Sequence, residues 1–350
     1  VSDLTPEDPD GESPEVPEDP DGEPPETPPA LARPGLSTFT IEGRAAPGLF
    51  VVGWLASISG FGLLLVGYLA PRSAVASILI ICGLLLLSIG LVSGAGAQTM
   101  ERRARAASYS GPSPFLLFAA SVAIASLLSA FVGLAIRLVG GDPESPVATL
   151  LLLAVIQVTY LSLTRLLVVG SGALSWADMG VISDVRRGVS DLAWGAWFVL
   201  PVIGLTYVVV WFLSQFITAV PESPLPPTGT TFGLILNLIG GAILVPIGEE
   251  LVFRGVATTA WKRVYGAGRA IIQGGLFFAI VHVLQIGGTS PDQAIQLAVM
   301  AFVARVPIAL ALGWVFVARR SLWASIGLHA AFNATMLILA EYAKANPRPG

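Results

Sequence analysis

Charged side chains are scarce in this 350-residue chain: Asp, Glu, Lys and Arg make up 12% of it, where a soluble domain carries about 25%. Hydrophobic residues reach 54%, and mean hydropathy is +0.77. So few charges cannot cover a water-facing surface, which makes an integral membrane protein the expected class. There is one cysteine, Cys82, and it sits in an apolar run. That excludes a disulfide scaffold and a zinc ribbon or finger. Net charge is −4 and no basic stripe is present, so a nucleic-acid partner is not expected. Lysine is nearly missing, with Lys262 and Lys344 against 17 arginines, the bias of a GC-rich prokaryotic genome.

What charge there is clusters. Twelve of the 23 acidic residues and 10 of the 26 prolines fall within residues 1–46. The heptapeptide PEDPDGE occurs there twice, at Pro6–Glu12 and Pro17–Glu23. An acidic, Pro-rich stretch cannot bury enough apolar surface to offset its ordering entropy. Residues 1–46 therefore read as a disordered cytoplasmic tail, open to a cytoplasmic partner. The stretch lacks the basic start and apolar run of a signal peptide.

Beyond the tail, long apolar runs recur, each near the ~20 residues that cross a bilayer. The candidates are 47–70, 74–92, 114–139, 147–169, 191–219, 231–247, 270–286, 293–317 and 322–340. The fold class expected is an all-α polytopic membrane protein with about nine transmembrane helices. Residues 47–170 would form an N-terminal set of helices, 171–342 a core, and 343–350 a C-terminal tail. The segment 175–190 is too polar to span and reads as an amphipathic piece at the interface. Connections on one side carry 11 Lys and Arg, Arg254 among them, and those on the other side carry three. The positive-inside rule then sets the N-terminus in the cytoplasm and the C-terminus outside a cell membrane.

Ionisable groups at membrane depth mark candidate sites. Both histidines, His282 and His329, lie in expected spans, and GEELVFRG sits at the cytoplasmic end of the sixth. On a helix, Glu250 and Arg254 are i and i+4 in the favourable order. Glu249 is turned by ~100° from Glu250 and is free to face a neighbouring helix as a general base. His329 and Asn333 share a face, as do Phe278 and His282. Glu249, His282, His329 and Asn333 can thus converge from three helices. A Glu–His pair can activate water, and an imidazole with a carboxamide can donate to an oxyanion. The same Glu249, His282 and His329 can instead bind zinc, although the H-E-x-x-H motif is absent. Arg305, near mid-span and beside Pro307, is expected either to face the bundle and pair with a carboxylate or helix-end carbonyls, or to reach water where the span breaks near Pro307.

Three motifs stand in order: EELVFRG at Glu249–Gly255, FAIVH at Phe278–His282 and LWASIGLHAAFN at Leu322–Asn333. Together they resemble the CPBP (CAAX protease and bacteriocin-processing, Abi) family, related to type II CAAX prenyl endopeptidases. The resemblance covers about residues 175–340. It implies an intramembrane endopeptidase acting on membrane-associated protein or peptide substrates. Glu249 would be the base, with Glu250 and Arg254 in support. His282 would polarise water, while His329 and Asn333 would hold the oxyanion. Both a metalloprotease and a metal-free glutamate mechanism are consistent with these residues. The competing classes are a non-catalytic scaffold or immunity protein of the same fold, and a transporter.

Overall fold

The computed structural model of the chain describes residues 40–221, 223, 225–284 and 286–346. The acidic repeat, most of the expected tail and Arg348 lie outside the described residues. Regular structure among the described residues is helical, in nine helices. They are α1 (Pro47–Leu69), α2 (Ala74–Ala104), α3 (Pro114–Leu138), α4 (Pro146–Val169), α5 (Val185–Leu213), α6 (Thr231–Tyr265), α7 (Ala267–Val281), α8 (Pro291–Arg319) and α9 (Leu322–Ala345). All but α7 are long and apolar enough to cross a membrane.

Local chemistry explains where the helices begin. Proline stands in the first turn of α1, α3, α4 and α8, where its missing N–H breaks no helix bond. Ser73, Ser113, Ser145, Thr230 and Ser290 each accept a backbone N–H as N-cap. The short links α6–α7 and α8–α9 turn at Gly266 (φ 83°) and Arg320 (φ 51°).

Helix contacts are then set by small residues. α1 buries only Gly53, Gly60 and Gly67, one per seven residues, against α2. A Cβ at Gly60 would stand 2.4 Å from the Leu87 amide nitrogen. In lipid no hydrophobic drive joins the two helices, so this close approach supplies the attraction. α5 and α9 meet in the same way. Their link to α8 is electrostatic: buried Asp191 on α5 accepts from Arg319 at the end of α8 (Nε, 2.9 Å).

At the centre lies α6, which carries Glu249 and Glu250. At 35 residues it is ~52 Å long, well beyond the ~30 Å hydrocarbon core. It is regular over 231–237, then π-helical over 238–244 and 251–258, with one α-turn between at 245–250. Each π stretch moves its carbonyls to the donor one residue further on. Two threonine side chains follow the same register: Thr258 donates to Phe253 O and Thr259 to Arg254 O. Phe253 packs edge-on against Phe277 and Phe278 of α7, with centroids 5.2 Å away in both cases.

Several expectations are corrected. The sixth span does not stop at residue 247; the polar patch lies midway along an unbroken helix rather than at its cytoplasmic end. Arg254 is fully buried, so it is not one of the loop cations that orient the chain. The seventh helix ends at Val281, not at 286, and at 15 residues it is too short to cross. The polar segment 175–190 is helical only from Val185; residues 176–180 form turns, and Met179, which sits on that stretch, is buried with Leu251, Val256 and Phe316. Helix α5 begins at Val185, so Asp191 lies inside it rather than at its start.

Candidate active site

Glu249 and Glu250 point in different directions, as their ~100° separation on a helix requires. Glu250 is fully buried. Its Oε1 accepts from Arg254 Nη1 at 3.1 Å and faces His329 Nδ1 at 2.8 Å. Arg254 is buried as well. Its Nη2 donates to Ala309 O of α8 at 3.1 Å, and its guanidinium lies 4.5 Å from the Phe278 ring of α7. One Glu–Arg pair thus joins α6, α7, α8 and α9. Unpaired, either charge would be expelled from such a place.

Glu249 faces a cavity of about 660 Å³. Its Oε2 has no hydrogen-bond partner among the described residues. That atom lies 3.8 Å from His282 Nε2 and 3.9 Å from His329 Nε2. The other ring nitrogens define the tautomers. His282 Nδ1 is 2.7 Å from Phe278 O, and a carbonyl can only accept. His329 Nδ1 meets the carboxylate of Glu250. Each neutral ring therefore carries its proton on Nδ1 and turns the Nε2 lone pair toward Glu249. The Glu250–His329 contact reproduces the carboxylate–imidazole pairing that orients a catalytic histidine and steadies its imidazolium.

Asn333, one turn beyond His329, also lines the cavity. Its Nδ2 donates to Gly241 O at 2.8 Å. Gly241 belongs to the first π stretch of α6. The carboxamide has a second N–H available. All four residues expected to converge are therefore brought to one cavity by α6, α7 and α9. One pairing differs from the sequence reading, which gave Glu250 to Arg254 alone and left His329 free.

Zinc needs three or four ligand atoms ~2.0–2.2 Å from one point. Among the described residues no group of three His, Cys, Asp or Glu side chains could hold a metal ion. Glu249, His282 and His329 as placed do not form that cage.

Other cavity residues escaped the sequence reading. Gln157 and Tyr160 of α4 both line it and are both buried. Gln157 Oε1 is unpartnered among the described residues and sits over Gly248, where a Cβ would come within 2.0 Å of it. A glutamine in an apolar span is itself an intramembrane polar group, so the rule applied to the histidines would have found it. Arg305 lines the cavity too, and donates to Ala301 O at 3.0 Å. α8 runs unbroken through Pro307. The span is thus not broken at Pro307, and the carbonyl that Arg305 meets is one turn back on its own helix rather than at a helix end.

The fold defines a polytopic membrane protein with a polar cavity between its helices, where Glu249, His282, His329 and Asn333 meet. Residues 231–335 match the family described as type II CAAX prenyl endopeptidase Rce1-like. The match agrees with the resemblance carried by the three motifs and, at the level of the family, supports a CAAX-type intramembrane protease. It spans α6 to most of α9, a shorter stretch than the 175–340 of the motif-based reading. The cavity walls supplied by α3, α4 and α5 lie outside it. No curated protein and no solved structure matches the chain.

Proposed function

We propose that the chain is an intramembrane endopeptidase that cleaves membrane-associated protein or peptide substrates by a glutamate-activated water. One observation carries the reading: the unpartnered, buried Glu249 Oε2 facing two imidazole Nε2 atoms inside a cavity large enough for a peptide segment. Glu249 takes a proton from water while His282 Nε2 accepts the second O–H and orients it. The hydroxide oxygen bonds to the scissile carbonyl carbon. Asn333 donates its free N–H to the oxyanion, and His329, once it carries a second proton on Nε2 taken from the solvent, donates beside it while Glu250 holds its Nδ1–H. The C–N bond then breaks, and Glu249 returns the proton to the leaving nitrogen. Arg254 pairs with Glu250 and so holds that carboxylate against His329 Nδ1.

The basic bias of the connections supports a cytoplasmic N-terminus and an external C-terminus, although Arg254 no longer counts toward it. The tail and its partner remain a proposal resting on composition. The arginine bias favours a prokaryotic setting and an unprenylated substrate.

The test is turnover of a membrane-tethered reporter peptide by purified protein in vesicles. Glu249→Gln keeps shape and removes basicity, so it should abolish cleavage and leave thermal stability unchanged. Chelator should have no effect if the glutamate acts alone. Loss of activity with chelator and recovery on adding zinc would assign a metal route instead. Full activity in Glu249→Gln would exclude Glu249 as the base.

A further inference from the structure

Arg305 is the midpoint of α8, so it sits near mid-bilayer if α8 spans. A guanidinium does not lose its proton in proteins, and a cation at that depth is retained only where it meets an anion or a wet, polar site. Arg305 is partly buried and lines the same cavity as Glu249. One of its five N–H donors goes to the Ala301 carbonyl. Among the described residues it forms no ion pair, and the other donors have no hydrogen-bond partner. Glu249, the sole acidic residue among those lining the cavity, lies within electrostatic range of it, as does His282. Glu249 on α6 and Arg305 on α8 thus line the same cavity without forming an ion pair among the described residues. If Glu249 is the base, it cannot also serve as the permanent partner of Arg305.

We propose that Arg305 binds a carboxylate of the substrate and so selects peptides that carry an anion beside the scissile bond. Three features of the site fit this. The fork of a guanidinium matches a carboxylate with two parallel N–H···O bonds. The cavity wall around it is mainly apolar, with Ala304, Ile308 and Val281 nearby in the lining, so the pair would be shielded from water. The cavity volume is that of an ordinary ligand site. The carboxylate could be a free C-terminus or an Asp or Glu side chain; both present the same two oxygens. The inference rests on the protease reading for its biology but not for its measurement.

The experiment is equilibrium binding to the full chain in lipid nanodiscs. The probes are fluorescent N-dodecanoyl tripeptides with N-methylated amide bonds, which resist hydrolysis. One pair is Gly-Leu-Leu as free acid and as amide. The other is Gly-Glu-Leu amide and Gly-Gln-Leu amide. A charge-assisted bidentate pair should make at least one anionic probe bind about tenfold to hundredfold tighter than its neutral partner. Which pair shows the preference names the source of the carboxylate. Arg305→Gln should reduce the preference to less than about threefold, and Arg305→Lys, which keeps charge but loses the fork, should leave an intermediate value. If Arg305→Gln does not fold, the lysine variant decides, since an unchanged preference there refutes the fork. Equal binding of acid and neutral probes, no binding of any probe, or a preference that survives Arg305→Gln would overturn the proposal. None of these results depends on turnover, so the protease reading stands or falls separately on Glu249→Gln.

Discussion

Replacing Glu250 with glutamine tests whether the buried centre is held by charge. Glu250 and Arg254 are both fully buried, and Oε1 is shared by Arg254 Nη1 and His329 Nδ1. Glutamine keeps the shape and one acceptor oxygen but strands the Arg254 cation. Removing one partner of a buried pair costs roughly 3–5 kcal/mol. Arg254 would keep its bond to Ala309 O and its place beside the Phe278 ring. A desolvated cation–π contact is worth ~2 kcal/mol but already exists in the parent, so it does not offset the loss. The glutamine carbonyl oxygen has two lone pairs and can keep both former donors, which puts the expected loss near the lower limit, about 3 kcal/mol. The double variant Glu250→Gln, Arg254→Met removes the stranded charge and should recover at least half of that. Reversible unfolding in mixed micelles titrated with SDS reads both. A loss below about 1 kcal/mol for Glu250→Gln, or no recovery in the double variant, would refute the charge-locked centre.

Much of this centre was legible because it obeys helix periodicity. The i, i+4 pairs Glu250–Arg254 and His329–Asn333 follow from spacing, and depth in an apolar span singled out both histidines. The contact between Glu250 and His329 joins residues 79 apart in sequence, and no local pattern encodes it. The π stretches flanking residues 245–250 were equally hidden, because a shift of one hydrogen-bond register leaves no mark on hydropathy. Hydropathy also misplaced several helix ends, two of them at the site. It fell at the polar patch of α6, since the scale assumes a span faces lipid, whereas Glu250 and Arg254 face protein. It stayed high past Val281, where α7 ends. Gly274 shows the same limit from the packing side: a glycine in a helical run carries no sign of the neighbour that requires it, here Thr258.

Gly195→Val should prevent insertion or folding, because a Cβ there would lie 1.8 Å from the Ala324 carbonyl oxygen of α9; a folded protein with parental thermal stability would contradict the α5–α9 contact. Asp178, outside the spans, accepts from the Ser175 backbone N–H and hydroxyl and pairs with Arg263 at 2.8 Å. Those bonds, the backbone one first, hold its carboxyl below the usual range, so its contribution is complete above the unfolded value of ~3.9 and is lost as pH falls through the folded one. Partial exposure limits that contribution to at most about 1 kcal/mol, and Asp178→Asn should flatten the stability profile below pH ~4 by that amount. Asn333 separates anchoring from catalysis. Its Nδ2 bond to Gly241 O is worth about 1 kcal/mol as a structural tie, a small fall in stability with little effect on rate. If the second N–H also meets the oxyanion, Asn333→Ala should lower kcat by about 10²–10³ with KM little changed, because that bond exists only in the transition state. Steady-state cleavage of the tethered reporter, read beside thermal stability, tells the two apart. A variant that loses about 1 kcal/mol of stability yet keeps its kcat would leave His329 as the oxyanion donor and reduce Asn333 to a brace for the π stretch of α6.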